Sequence, residues 1–214
     1  SVDEFWKKGI KIKKGIPTIS IPHWKKVRNN HTYTWGLIEK YNFKPTQIQE
    51  VYKLLEANNG AYLASATHRF IKFNDAIQLV TNDSEKEHLM IPIGEGILKT
   101  KYGQLQMETI EVNTMGAIDA SSSIAYLDAD ALEFPLLIRS WQITDYFYPL
   151  GLRKKKKLSH FLGSLKLSPV VKERVNVLTM GDKILWVVGQ RIDDRFKVTE
   201  KTKWVLKITY QDTL

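Results

Sequence analysis

No apolar stretch in this chain is long. Its longest runs are of the kind "ILWVVG" and "FPLLI", far below the ~20 residues that a helix needs to cross a bilayer. Most of the remainder falls into short runs closed off by Gly, Pro, Asn, Asp or Ser, which read as short strands and short helices. Residues 10–21, "IKIKKGIPTISI", alternate at period two around a Gly-Ile-Pro break and predict an extended segment or an open hairpin. "TYTWGLIEKYN" (32–42) is a short helix candidate. A stronger helix follows in "KPTQIQEVYKLLEANNG", where Ile48, Val51, Tyr52 and Leu55 share a face, Pro45 stands near the start and Gly60 is a candidate C-terminal cap. "AYLASA", "HRFIKF" and "AIQLVT" read as strands, the last two joined through Asn74-Asp75 as a hairpin.

Weaker strand signals fill residues 82–131, in "HLMIPI", "GQLQMETIEV" and "SIAYLDADAL". A length of 214 residues exceeds the ~100–150 typical of one domain, so two small domains are expected. The boundary is placed near Glu133, giving a middle region over 1–133 and a basic domain over 134–214. In the latter, "FPLLIRSW" predicts a strand, and "KKLSHFLGSLK" a helix with Leu158, Phe161, Leu162 and Leu165 on one face. "SPVVKERV" opens a helix with Ser168 as N-cap and Pro169 at the first position. Two strands, "KILWVVGQRI" and "KWVLKITY", are expected to finish the chain.

The formal charge of +9 is unevenly spread. Residues 137–214 hold 16 Lys and Arg against 7 Asp and Glu, whereas residues 1–136 balance at 16 each. Within that balanced part, residues 1–30 are basic and 31–136 acidic. Such segregation suggests a polyanion held by two separate surfaces, nucleic acid being the first candidate, against the plainer reading of a lysine-rich soluble protein.

Catalytic signatures are missing. There is no cysteine, hence no disulfide, thiolate zinc site or thiol nucleophile. No G-x-x-x-x-G-K-[ST] or G-x-G-x-x-G occurs, and "GEG" at 94–96 lacks the helix that a phosphate loop requires. His23, His31, His68, His88 and His160 are scattered, so no metal site is expected. Asp128 and Asp130 resemble a D-x-D metal pair, but with no third carboxylate nearby a strand end or turn is the better reading. Trp186 lies in an apolar run and belongs to the core, while Trp141 and Trp204 sit beside basic residues where a base could stack. The first residues, "SVDEFWKKG", lack a secretory signal, and a cytoplasmic address without membrane attachment is expected.

Two features remain. "RKKKK" (153–157) concentrates five cations whose mutual repulsion phosphate would relieve. "GQRIDDRFK" packs Arg191, Asp193, Asp194, Arg195 and Lys197 at the end of a predicted strand. Arg191 with Asp193 or Asp194, and Asp194 with Arg195, are expected to form bracing ion pairs, leaving Lys197 as a surplus cation.

The strings "PLGLRKKKKLSHFL", "KERVNVL" and "GDKILWVVGQRIDDRFKVTEKTKWVLKI" resemble the C-terminal domain of the bacterial tRNA(Ile)-lysidine synthetase family. The similarity runs from about Phe134 to Tyr210 and continues more moderately over residues 42–80. It implies a small α+β domain with a β-sandwich, of a kind shared with a phenylalanyl-tRNA synthetase subunit. It also implies a ligase that adenylates the wobble cytidine of a CAU-anticodon isoleucine tRNA with ATP and magnesium, lysine then displacing AMP. Those substrates belong to a catalytic domain carrying an S-G-G-x-D-S loop, which this chain lacks, so the chain is expected to be inactive by itself and to hold tRNA. The whole enzyme could be a homodimer. On this resemblance Arg139, Arg153, Lys154, Lys155, Lys156, Lys157, Lys172, Arg174, Lys197 and Lys203 are expected to face RNA, through phosphate and shape more than through bases.

Two departures from the family pattern stand in "QITDYF", where Thr144 replaces a glycine and Tyr146 an arginine. A third is His160, in place of an aspartate. The rival readings are a stand-alone module for RNA or anionic surfaces, and a hydrolase or transferase with an unrecognised site.

Overall fold

The structure, a computed structural model, describes residues 1–83 and 85–212. The chain forms two compact units: residues 1–85 with 168–170, and residues 86–167 with 171–214.

The first unit begins with helix α1 (Val2–Gly9). The Ser1 hydroxyl accepts the Glu4 N–H at 3.3 Å while the Glu4 carboxylate accepts from the Ser1 amine at 3.1 Å, a reciprocal cap that satisfies donors a short helix otherwise leaves open. Strands β1 (Ile10–Lys13) and β2 (Ile16–Ser20) follow as a hairpin. Its two-residue turn sets Lys14 and Gly15 at φ 49° and 70°, the geometry whose twist matches paired strands. Helix α2 (Ile21–Lys25) starts on the Ser20 hydroxyl, and α3 (His31–Ile38) on the Asn30 side chain. A 3-10 turn over Pro45–Gln47 leads into α4 (Ile48–Leu55). Gly60 is not the cap of that helix, which stops at Leu55. With φ 88° it turns the chain toward strand β3 (Tyr62–Ala64), its N–H donating to the Lys72 carbonyl at 2.8 Å. β4 (His68–Phe73) and β5 (Ala76–Thr81) form the expected hairpin across Asn74-Asp75.

The sheet order is β1-β2-β5-β4-β3, and all its pairs are antiparallel. Its core is aromatic. Trp6 meets Trp24 edge-on at 5.2 Å, and Trp24 meets Phe70 at 6.1 Å. Each buried indole has a partner, as burial demands: Trp6 Nε1 donates to the Tyr33 carbonyl and Trp24 Nε1 to the Thr34 hydroxyl.

The second unit contains β6 (His88–Ile91), β7 (Gly96–Lys99), β8 (Gly103–Glu111), β9 (Ile124–Asp128), β10 (Leu136–Ser140), β11 (Tyr146–Phe147) and β12 (Lys156–Lys157). There follow α5 (Leu158–Ser164), β13 (Asn176–Met180), β14 (Lys183–Val187), β15 (Arg191–Ile192) and β16 (Trp204–Asp212), while α6 (Pro169–Glu173) begins in the residues counted with the first unit and ends in the second. Two sheets, ordered β15-β14-β13-β10-β6 and β7-β8-β16-β9, share one core. Leu105, Leu127 and Leu206 of the second sheet meet Ile138, Leu178 and Trp186 of the first, which is a β-sandwich. The far face of the first sheet is covered too, with Val177, Ile184 and Val187 packing against Phe147, Leu158, Phe161 and Leu162. A strand buried on both faces reads as a continuous apolar run rather than an alternating one, which is why "KILWVV" shows no period.

The chain does not divide near Glu133. β6, which precedes that point, pairs with β10, which follows it, and β8 and β9 both pair with β16. The two strands expected to finish the chain are present as β14 and β16, with the short β15 between them; β13, which sequence reading had not marked, precedes them and lies between β10 and β14. Asp128 and Asp130 form a turn, as expected. Asp128 accepts the Asp130 N–H, and the Asp130 carboxylate accepts the N–H groups of Lys203 and Trp204 where β16 begins.

Candidate nucleic-acid interface

The basic run and the charged knot, some forty positions apart in sequence, are brought together in the second unit. The link is made by the aromatic segment "DYFYPL" (145–150). Its strand β11 alternates sides, so Phe147 is fully buried while Tyr146 is 40% exposed and Tyr148 half-buried. β12 pairs with it, Tyr146 opposite Lys157 and Phe147 opposite Lys156. Two of the five residues of the cationic run therefore form a strand with a fixed register, which passes directly into α5.

Asp193 organises the other side. Its carboxylate is buried, at 0% exposure, and both oxygens are used. Oδ2 accepts the Tyr148 N–H at 2.9 Å and Arg195 Nη2 at 3.0 Å, while Oδ1 accepts the Arg195 N–H and Nε, each at 2.9 Å. The guanidinium so fixed lies over the Tyr148 ring, 4.3 Å from its centroid, and the bond to Asp193 pushes the Arg195 pKa up. Asp194 accepts the Gly151 N–H at 3.2 Å and Lys197 Nζ at 3.1 Å. The Gly151 N–H, then Lys197, holds its carboxyl below the usual carboxylate range. The ion pairing thus differs from the expected one: Arg195 binds Asp193 rather than Asp194, Lys197 is not surplus but pairs with Asp194, and Arg191 lies 5.5 Å from the Phe161 ring centroid. Geometry decides this, because Asp193 is the inward-facing residue that Arg195 can reach with two parallel N–H groups.

With both acids so engaged, the cations beside them have their charge left over. Lys155 Nζ sits 3.7 Å above the Tyr146 ring centroid, a cation–π contact worth roughly 0.5–1 kcal/mol at an exposed site. Arg153, Lys154 and Lys157 are exposed. The surface is a strip of two tyrosine rings, each with a cation held over it, bordered by further cations. It can hold anions by charge and flat rings by stacking.

The remaining expected residues lie elsewhere in their roles. Arg139 is committed to Asp145 through two parallel bonds of 2.9 and 2.8 Å, and is a structural ion pair. Lys172 lies 5.6 Å from the Trp141 ring centroid, and the Trp141 indole donates to the Lys172 carbonyl at 2.8 Å. Arg174 stacks on Tyr102 at 4.2 Å. Lys203 is exposed at the start of β16, next to an exposed Trp204. Among the described residues no group of three or more His, Asp or Glu side chains could hold a metal ion. Sequence reading passed over Tyr146 and Tyr148, although their period-two spacing around Phe147 already placed them on one face. Thr144 needs no glycine, for it is not among the described residues with positive φ.

A two-unit α+β chain whose second unit is a β-sandwich with a cationic, aromatic border is thus in hand, and comparison with known proteins identifies its kind. Residues 12–80 match the family model described as TilS substrate binding domain, and residues 136–208 the one described as TilS substrate C-terminal domain. The chain belongs to the tRNA(Ile)-lysidine synthase family. A tRNA(Ile)-lysidine synthase of Parabacteroides distasonis is 32% identical over 179 residues, covering 84% of this chain and 41% of the relative. The chain therefore spans about two fifths of the length of that relative. A crystal structure of a TILS C-terminal domain superposes with a TM-score of 0.52 at 18% identity, over 60% of this chain and 99% of that one, which establishes the shared fold. An N-terminal fragment of the phenylalanyl-tRNA synthetase beta-subunit from Pyrococcus horikoshii aligns at a TM-score of 0.40 and 12% identity, over 90% of this chain and 67% of that one.

Proposed function

We propose that this chain is the tRNA-holding part of a tRNA(Ile)-lysidine synthase, and that the strip formed by residues 146–157 and 195 is one of its RNA contacts. The whole enzyme would attach lysine to the wobble cytidine of a CAU-anticodon isoleucine tRNA in the cytoplasm. ATP with magnesium, and lysine, would be bound by a catalytic domain that this chain does not contain. The observation that supports the RNA contact is the pairing of cations with rings at Lys155–Tyr146 and Arg195–Tyr148, where both nearby acids are already bound. Arg153, Lys154, Lys155 and Lys157 are assigned phosphate contacts, Lys156 a lesser one. Lys172, Arg174 and Lys203 would form a separate, weaker part of the surface, and Arg139 and Lys197 serve the fold. Lys155 also supplies the cation that the family pattern carries as arginine at position 146.

The test is a titration of the chain with isoleucine CAU tRNA across a salt series, beside a variant with Lys154, Lys155, Lys156 and Lys157 changed to Ala. The wild type should show a steep dependence on salt, and the variant should lose up to ~0.9 in slope for each duplex phosphate contact removed. Equal slopes would overturn the assignment of this strip.

A further inference from the structure

The turn between β11 and β12 holds two leucines in water by means of bonds that leave it no freedom to bury them. Leu150 is 41% and Leu152 48% exposed. The Leu150 N–H donates to the Ile192 carbonyl at 3.0 Å, the Gly151 N–H to Asp194 at 3.2 Å, and the Leu152 N–H to the Pro149 carbonyl at 3.0 Å. Pro149 is bridged to Asp193, and the Asp194 N–H donates to the Tyr148 carbonyl at 2.7 Å. Gly151 takes φ 88° and Arg153 φ 49°, the left-handed region that side chains other than glycine's enter at a cost. A loose loop carrying two leucines would fold them inward, since burial of apolar area is favourable by roughly 25 cal/mol per Å². Here the loop is tied on both sides, so the exposure is built in.

Resting on the reading of this strip as an RNA contact, we propose that Leu150 and Leu152 take the open face of an unstacked nucleobase, with Arg153, Lys154 and Lys155 on the phosphates that flank it. Charge complementarity selects this occupant. An apolar tip bordered by cations, beside acids already engaged, matches a flat apolar ring carried on an anionic backbone, and apolar side chains are known to cover or wedge against base faces. The base could lie in a single-stranded tail or at the end of a helix.

The whole chain would be titrated with three RNAs of one sequence: a hairpin with a short unpaired 3′ tail, the same hairpin with a blunt end, and a dumbbell closed by loops at both ends. The variants are Leu150→Ser with Leu152→Ser, the same pair changed to Met, and Lys154→Ala with Lys155→Ala. The serine variant should bind the tailed hairpin about tenfold more weakly without change in salt slope, keep wild-type affinity for the dumbbell, and be rescued by methionine. A loss on the tailed hairpin alone assigns a single-stranded base, and a loss on the blunt one as well assigns a helix end. The inference is overturned if the serine variant binds all three RNAs as wild type does, or loses all three alike. It is equally overturned if that variant instead loses binding to phosphatidylserine vesicles or self-association. If the lysine variant also binds unchanged, the RNA reading of the strip falls with it.

Discussion

Replacing Asp193 removes the acceptor for four N–H groups at once. Because the carboxylate is buried and Arg195 only partly so, Asp193→Ala leaves the Tyr148 N–H without a partner and the guanidinium without its anchor. The expected loss is on the order of 3 kcal/mol, measured by urea denaturation. Asp194 carries the pH dependence. Its folded pKa is depressed by the Gly151 N–H and by Lys197, so its contribution is fully present above the unfolded value of about 3.9 and is lost as pH falls through the lower folded value. An acid titration followed by NMR should therefore show the Gly151 amide shifting only below about pH 4; movement near neutral pH would contradict the assignment. Neither role could be read from the string "RIDDR", where two adjacent acids and two flanking arginines are interchangeable until one carboxylate is known to point inward.

At the level of elements, the expected RNA-facing residues separate into those held by acids and those left to the surface. Arg139→Ala should lower the melting temperature, since Asp145 then stays buried in its turn without a cation, while leaving the salt slope for tRNA unchanged. The lysine variants should do the reverse. Thermal melting and the salt series together check both. Local pattern made the β1–β2 and β4–β5 hairpins, α4, α5 and α6 legible, because each carries its own turn or cap chemistry or its own apolar face. Other elements depend on distant partners. "NVLTM" has no signal of its own and becomes β13 because β10 and β14 flank it. "YF" and "KK" become strands only through each other. α1 was missed for a different reason, although Ser1 and Glu4 have the spacing of a capping box, because so few residues follow them before β1.

For the molecule as a whole, the two units rest on different cores, one built on the Trp6, Trp24 and Phe70 rings and the other on aliphatic side chains from two sheets. Trp24→Ala should cost about 3–5 kcal/mol and should show in hydrogen exchange as lost protection in β2, β4 and β5, with β13 and β14 unaffected; equal loss in both would mean that the units unfold as one.

The order of the sheet β7-β8-β16-β9 has a consequence for how the protein is born. One of its two inner strands, β16, is translated after the other three: Gln104 of β8 is bonded to Gln211 of β16, 107 positions later. On the ribosome, β8 and β9 emerge with the edges they will later offer to β16 still open, and these are sticky templates for any other extended chain. A nascent chain stopped before Trp204 should be captured by chaperones and cleaved within the second unit by added protease, whereas one released after Asp212 should resist.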